Sequence, residues 1–194
     1  ARHRAKVRPG DSVLVVGVGG DGMNVVQGAR LAGATTIVAA DVVAHKLDWA
    51  RAFGATHTID AGREDLVAAV HALTDGVGVD HAFVCIDPPR TLLPAFRATA
   101  KAGNVVVTAL TPADELSLPV PPLELVTSQK AIMGSVYGFA SPRVQIPELV
   151  ALYRQGAIRL SELVTRRYPL DAINDGYADL IAGRNLRGVV LPFE

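Results

Sequence analysis

Two hydrophobic periods alternate along most of the chain. Short apolar runs lie near 12–17, 36–40, 56–59, 80–86, 103–109 and 131–136, and apolar residues recur at helical spacing near 21–33, 43–54, 63–73 and 90–101. Such runs suit strands covered on both faces, and a helix between consecutive strands permits parallel pairing through right-handed crossovers. The pattern predicts an α/β fold, a doubly wound six-stranded parallel sheet with helices on both faces. Pro119, Pro121 and Pro122 predict a loop or edge element before the sixth strand.

Beyond Phe139 the alternation stops. Residues 142–156 predict an amphipathic helix with Ile146, Leu149, Val150 and Tyr153 on one side. A second helix is expected to open at Asp171 as N-cap, with Ile173, Tyr177, Leu180 and Ile181 as its apolar face, before a last apolar run from Val189 to Phe193. These elements are too few to close a core of their own. The expected organisation is a domain over 1–139 followed by a C-terminal helical appendage, 140–194, that needs a partner surface.

Composition narrows the partners. Nineteen Lys and Arg against nineteen Asp and Glu leave no formal net charge, so no general attraction to nucleic acid or anionic membrane is expected. The basic start, Arg2, His3, Arg4, Lys6 and Arg8, reads as a solvated helix end. No run approaches a membrane span, no signal-peptide core opens the chain, and Cys85 is its only cysteine. A cytoplasmic protein with one buried strand thiol is the expectation.

The first apolar run ends in Gly17-Val-Gly19-Gly20-Asp21-Gly22, and Asp41 closes the next run 19 positions after Gly22. Gly17 permits a sharp turn out of the strand, Gly19 leaves its backbone open to a pyrophosphate, and Gly22 lets the following helix lie close on the sheet. The amides that open this helix, near Asp21, would face the phosphates. An aspartate at the end of the second strand accepts from ribose hydroxyls and repels a 2′-phosphate, which predicts NAD rather than NADP. A purely structural strand-turn-helix, or another adenosine-bearing ligand such as a methyl donor, fits the same glycines.

The segment order resembles the medium-chain zinc-containing alcohol dehydrogenases, close to the glutathione-dependent formaldehyde dehydrogenases and to the nicotinoprotein alcohol dehydrogenases. The matching segments are the glycine-rich loop, Asp41-x4-Lys46-Leu-x2-Ala50-x2-Phe53-Gly54-Ala55, Gly134-Ser-Val-Tyr-Gly138, Leu163-Val-Thr-Arg-Arg-Tyr168 and Ile173-Asn-x2-Tyr177-x5-Gly183-x3-Arg187-Gly188-Val189. The resemblance implies a Rossmann domain in which Gly17, Gly19, Gly20, Asp21 and Gly22 bracket the pyrophosphate, Asp41 and Lys46 hold the adenosine ribose, and Arg187 reaches the pyrophosphate. It implies further that Ile86, Ala109, Ser135 and Tyr137 line the nicotinamide half. Plainer roles stand beside these: Lys46 as a solvated helix charge, Tyr137 as core.

The same resemblance implies a catalytic zinc and a structural zinc, both held by residues ahead of the point where this chain begins. One cysteine and five dispersed histidines cannot rebuild either site, so no catalytic residue and no metal ligand is expected. The chain is therefore expected to be a piece of a longer dehydrogenase that binds NAD better than it catalyses. The alternatives are a non-catalytic NAD-binding module and a zinc-free quinone reductase of the same superfamily. Two positions depart from the family. Asp21 stands where valine is usual, and Asp87 where glycine is common. Leu116 to Val120 resembles the family's edge segment that pairs with a second subunit, so a homodimer is expected.

Overall fold

The fold is described from a computed structural model, which describes residues 1–114 and 118–193. The chain divides into two compact units, 1–144 and 145–194.

In the first unit β1 (Ser12–Val16), β2 (Thr36–Asp41), β3 (His57–Asp60), β4 (Val79–Val84), β5 (Thr99–Val107) and β6 (Ala131–Gly134) form one sheet in the order β3-β2-β1-β4-β5-β6, with every pairing parallel. Between them run α1 (Gly20–Leu31), α2 (Ala44–Phe53), α3 (Leu66–Leu73), α4 (Pro88–Ala98) and α5 (Pro122–Ser128). The order reverses direction at β1, so β1 has β2 on one side and β4 on the other, and a crevice opens at the carboxyl ends of these strands. Val13, Leu14, Val15 and Val16 are all buried, as a strand covered on both faces requires. Leu92, Ala95 and Phe96 of α4 pack into the same core as Leu14, Ala82 and Val105. Burial of each large side chain contributes about 1.5–3 kcal/mol relative to exposure.

Several boundaries differ from the sequence reading. The fourth helix ends at Ala98 instead of running to 101, and β5 begins at Thr99 instead of near 103. Gly78 explains the shift. A Cβ there would lie 2.7 Å from the Ala98 carbonyl oxygen, and its absence lets the chain approach closely enough for Val79 to pair with Thr99. Residues 122–128 form a helix and not an edge element, with Pro122 in its first turn, where a missing N–H costs nothing. The basic start forms turns and no helix end. Ala5 and Val7 are buried, and the Arg4 guanidinium lies 4.4 Å from the centre of the Phe139 ring. Of the expected dimer segment, Leu116 and Ser117 lie outside the described residues, and 118–120 form no strand. The sheet's edges are β3 and β6.

The helix expected over 142–156 is α6 (Pro142–Arg154), which runs across the boundary between the units. The second unit adds a strand that the pattern did not reveal. β7 (Val164–Pro169) pairs in parallel with β8 (Arg187–Leu191), and α7 (Ile173–Ile181) makes the crossover. Asp171 is not the N-cap. It sits in a short 3-10 turn, and Ala172 caps α7 without a side-chain bond. Most of the expected apolar face is uncovered, as a face that needs a partner surface would be. Tyr177, Leu180 and Ile181 are exposed, and the one buried residue of α7 is Asp179, at 5% exposure.

Asp179 is buried because it is fully engaged. Its Oδ2 accepts from the Tyr168 hydroxyl at 2.7 Å and from Arg166 Nη1 at 2.8 Å, and its Oδ1 accepts from Arg184 Nη1 at 2.6 Å. Asn185 Nδ2 donates to the Tyr168 oxygen at 3.1 Å. The Tyr168 hydrogen bond, followed by that of Arg184, holds the Asp179 carboxyl below its ordinary value of 3.8. A depressed carboxyl pKa stabilises the fold fully above the ordinary carboxylate range, and that contribution is lost as pH falls through the folded value.

Amide exchange in β7 and β8 followed down a pH series is expected to show this unit loosening only below about pH 4. Asp179→Asn is expected to loosen it already at neutral pH and to flatten the acid dependence. An unchanged acid profile in that variant would remove Asp179 as the cause.

Candidate functional site

The glycine-rich loop joins β1 to α1. Gly17 has φ +84°, a left-handed conformation that an L side chain rarely adopts. A Cβ on Gly22 would lie 1.9 Å from the Gly17 carbonyl oxygen, whereas one on Gly19 would meet nothing within 4 Å. The two glycines therefore do different jobs. Gly22 lets the helix cross the strand end, and Gly19 leaves open space beside its backbone. Gly19 caps α1 with no side-chain bond, and Gly20 and Asp21 open the first turn, where backbone N–H groups have no partner within the helix. The Asp21 side chain is exposed.

A cleft of about 640 Å³ lies at the carboxyl ends of β1, β2 and β4, and Gly17, Asp41 and Ile86 are among its lining residues. Asp41 is 8% exposed. Its Oδ2 accepts the Val18 N–H at 2.9 Å and its Oδ1 the Val43 N–H at 3.0 Å. Two of the carboxylate's roughly four lone-pair sites thus remain for a ligand. Lys46 is half-buried in the first turn of α2 and is not among the lining residues.

Ala109 and Ser135 follow β5 and β6, and their amides donate to Val84 and Val107 at 3.4 and 2.9 Å. Tyr137 is not core, since it is 84% exposed. It begins a left-handed run, with φ +48° at Tyr137, +69° at Gly138 and +57° at Phe139. Two non-glycine residues in that region store strain of order 1–3 kcal/mol each. Arg187 opens β8 in the second unit and is exposed.

The sequence reading missed several cleft residues. Glu64 and Asp65 line one part, and Arg90, Thr91 and Arg97 of α4 another. None belongs to a motif. Only their places just after β3 and along the helix after β4 could have singled them out. Glu64 Oε1 accepts the Asp60 N–H and Asp65 Oδ1 the Ala68 N–H, while Arg97 is held by Glu124 at 3.1 and 2.6 Å. Asp87, which also lines the cleft, has φ +40° and ψ +64°, a left-handed backbone that favours glycine. The Thr91 hydroxyl pins that turn by donating to the Ile86 and Asp87 carbonyls.

Cys85 lies one residue beyond β4 and is partly accessible, not a fully buried strand thiol. Burial of the sulfur nonetheless pushes its pKa up to about 11, with the Asp21 charge adding to the rise, so it is a thiol at neutral pH. Among the described residues no group of three or more His, Cys, Asp and Glu side chains could hold a metal ion, and no helix is long and apolar enough to cross a membrane.

Comparison with known proteins gives these features a family context. Residues 20–155 match the family described as zinc-binding dehydrogenase. The chain is 38% identical over 193 residues to an NDMA-dependent alcohol dehydrogenase of Amycolatopsis methanolica, covering 98% of this chain and 52% of that protein. It superposes on benzyl alcohol dehydrogenase from Acinetobacter calcoaceticus with a TM-score of 0.91 at 33% identity, over 97% of this chain and 51% of the other. A zinc-binding dehydrogenase from Sinorhizobium meliloti bound to NADP gives 0.84 at 28% identity, over 97% and 54%. The chain spans about half the length of the curated relatives it matches.

Gly22→Ala is expected to destabilise the first unit by about 3 kcal/mol or more, because the clash is with backbone and cannot be relieved by a rotamer. Asp87→Gly is expected to do the opposite, by about 0.5–1 kcal/mol, through relief of a left-handed residue. Urea unfolding measures both, and a stabilised Gly22→Ala would refute the packing argument.

Proposed function

The chain belongs to the zinc-binding dehydrogenase family, and from that premise we propose that its cleft holds NAD in preference to NADP, as the cofactor-binding portion of an alcohol or aldehyde dehydrogenase. The observation that carries this reading is the buried Asp41 carboxylate at the end of β2, lining the cleft beside a loop whose Gly19 position is sterically open. When bound, the nicotinamide supplies hydride transfer to or from a carbonyl carbon.

The residues present fit such a group. Gly19 would let the pyrophosphate approach the backbone, Gly17 and Gly22 would hold the turn and the helix in place beneath it, and the Gly20 and Asp21 amides would turn toward it. Asp41 would accept from the adenosine ribose, with Lys46 as a second polar contact. Backbone groups of Ile86, Ala109, Ser135 and Tyr137 would hold the carboxamide end, and Arg187 is proposed as a phosphate contact by resemblance alone. A 2′-phosphate would sit beside Asp41, with Glu64 and Asp65 also in the lining, while Arg90 and Arg97 of α4 line another part of the cleft. That is the basis for preferring NAD although one relative is bound to NADP.

Among the described residues no three candidate ligands come together, so these residues offer zinc no fitting donor set. No step is assigned to a metal here. A second reading, a module that binds the dinucleotide without chemistry of its own, draws on that donor set and on Asp21. The first reading draws on the glycine loop and Asp41 together.

Calorimetry with the two dinucleotides tests the proposal. NAD is expected to bind at least about tenfold more tightly than NADP, a difference of about 1.4 kcal/mol. Tighter NADP binding would overturn the cofactor assignment, and no binding of either would overturn the site. Asp21 adds a second test. Its carboxylate is exposed, so repulsion from a phosphate about 4 Å away is worth about 1 kcal/mol in water, against about 4 kcal/mol were it desolvated. Asp21→Val is therefore expected to tighten NAD binding by about fivefold, and unchanged affinity would discard the repulsion.

A further inference from the structure

Asp41 is committed before any ligand arrives. Where β1 ends, two successive amides are bonded to two successive residues of β2. Gly17 N–H donates to the Ala40 carbonyl at 2.8 Å, and Val18 N–H donates to the Asp41 side chain at 2.9 Å. The second of these replaces a ladder bond. The strand register pairs Val16 with Ala40, and the chain leaves the sheet at Gly17, so a backbone acceptor for the next amide is no longer in line. Val18 is 0% exposed, and water cannot stand in for the missing carbonyl. The other carboxylate oxygen is fixed by the Val43 amide at the start of the following turn, so the side chain is held from two directions.

We propose that Asp41 is a positioning residue for the glycine-rich loop, holding Val18 so that the Gly20 and Asp21 amides are presented at the right place and angle. The proposal rests on reading the cleft as a dinucleotide site. It makes sugar selectivity and phosphate affinity depend on one carboxylate. A replacement at 41 chosen to admit a 2′-phosphate would also release the loop that binds the other two phosphates. Three other cleft carboxylates are bound elsewhere, Asp87 pairing with Arg90. Glu64 and Asp65 spend their bonds on Asp60 and Ala68, at the end of β3 and the start of α3.

The sign of one measurement separates this role from simple sugar recognition. Inorganic pyrophosphate has no ribose to lose, and removing a negative charge from the cleft would by itself strengthen its binding. If Asp41 positions the loop, Asp41→Ala is expected to weaken pyrophosphate binding by about fivefold or more, and Asp41→Asn, whose single oxygen can accept from Val18 or Val43 while its Nδ2 opposes the other amide, by less than Asp41→Ala. Both variants should lose NAD affinity. Pyrophosphate binding that is unchanged or tighter in Asp41→Ala would overturn the proposal.

Amide exchange on the unsubstituted chain guards against a variant that does not fold. The Val18 N–H is expected to be protected about a hundredfold or more, and exchange at the rate of an open loop would also overturn the proposal. Should the unsubstituted chain bind neither NAD nor pyrophosphate, the dinucleotide reading fails, and the exchange of Val18 still decides whether Asp41 holds the loop.

Discussion

The distance that leaves no room for a side chain at residue 22 governs much of the first unit. The Gly22 Cα must pass so near the Gly17 carbonyl that only hydrogen fits between them. That approach sets how α1 meets β1, and it allows Met23, Val26 and Ala29 to reach full burial on the sheet. It also sets where the first turn of α1 begins relative to the end of β1, the strand at which the order reverses. Packing and ligand geometry here have one origin. A helix held even one methyl group further out would lose core contacts and point its amides elsewhere.

How much of this was legible in the sequence depended on whether the deciding contact was local. The strands from β1 to β4 were legible because a run such as Val13 to Val16 is buried whole, and the reason for the pattern lies within the run. The start of β5 was not, because Thr99 becomes a strand residue only through the gap left by Gly78, 21 positions earlier. β7 was hidden by its charges. Arg166 and Arg167 break any apolar run, and their strand is made by pairing with β8 and by the Asp179 network. α5 was hidden by its prolines, which read as strand punctuation and instead begin a helix.

The site was legible in the same uneven way. Glycines and Asp41 declare themselves because backbone geometry and a buried charge restrict which residues can stand there. Glu64, Arg90, Thr91 and Arg97 do not, since each of these types is ordinary on a helix surface and gains meaning only from the cleft it faces. Asp87 is intermediate. The resemblance singled it out in the sequence, but only the backbone angles show that it occupies a left-handed turn.

The buried aspartate of α7 bears on how this chain tolerates change. Ranking its positions by hydropathy would protect Leu180 and Ile181 and treat Asp179 as dispensable, yet in this fold the aspartate is the anchor and the two aliphatic residues face outward. A library that spares only the apolar positions of α7 would therefore lose every member in which the Asp179 network cannot form.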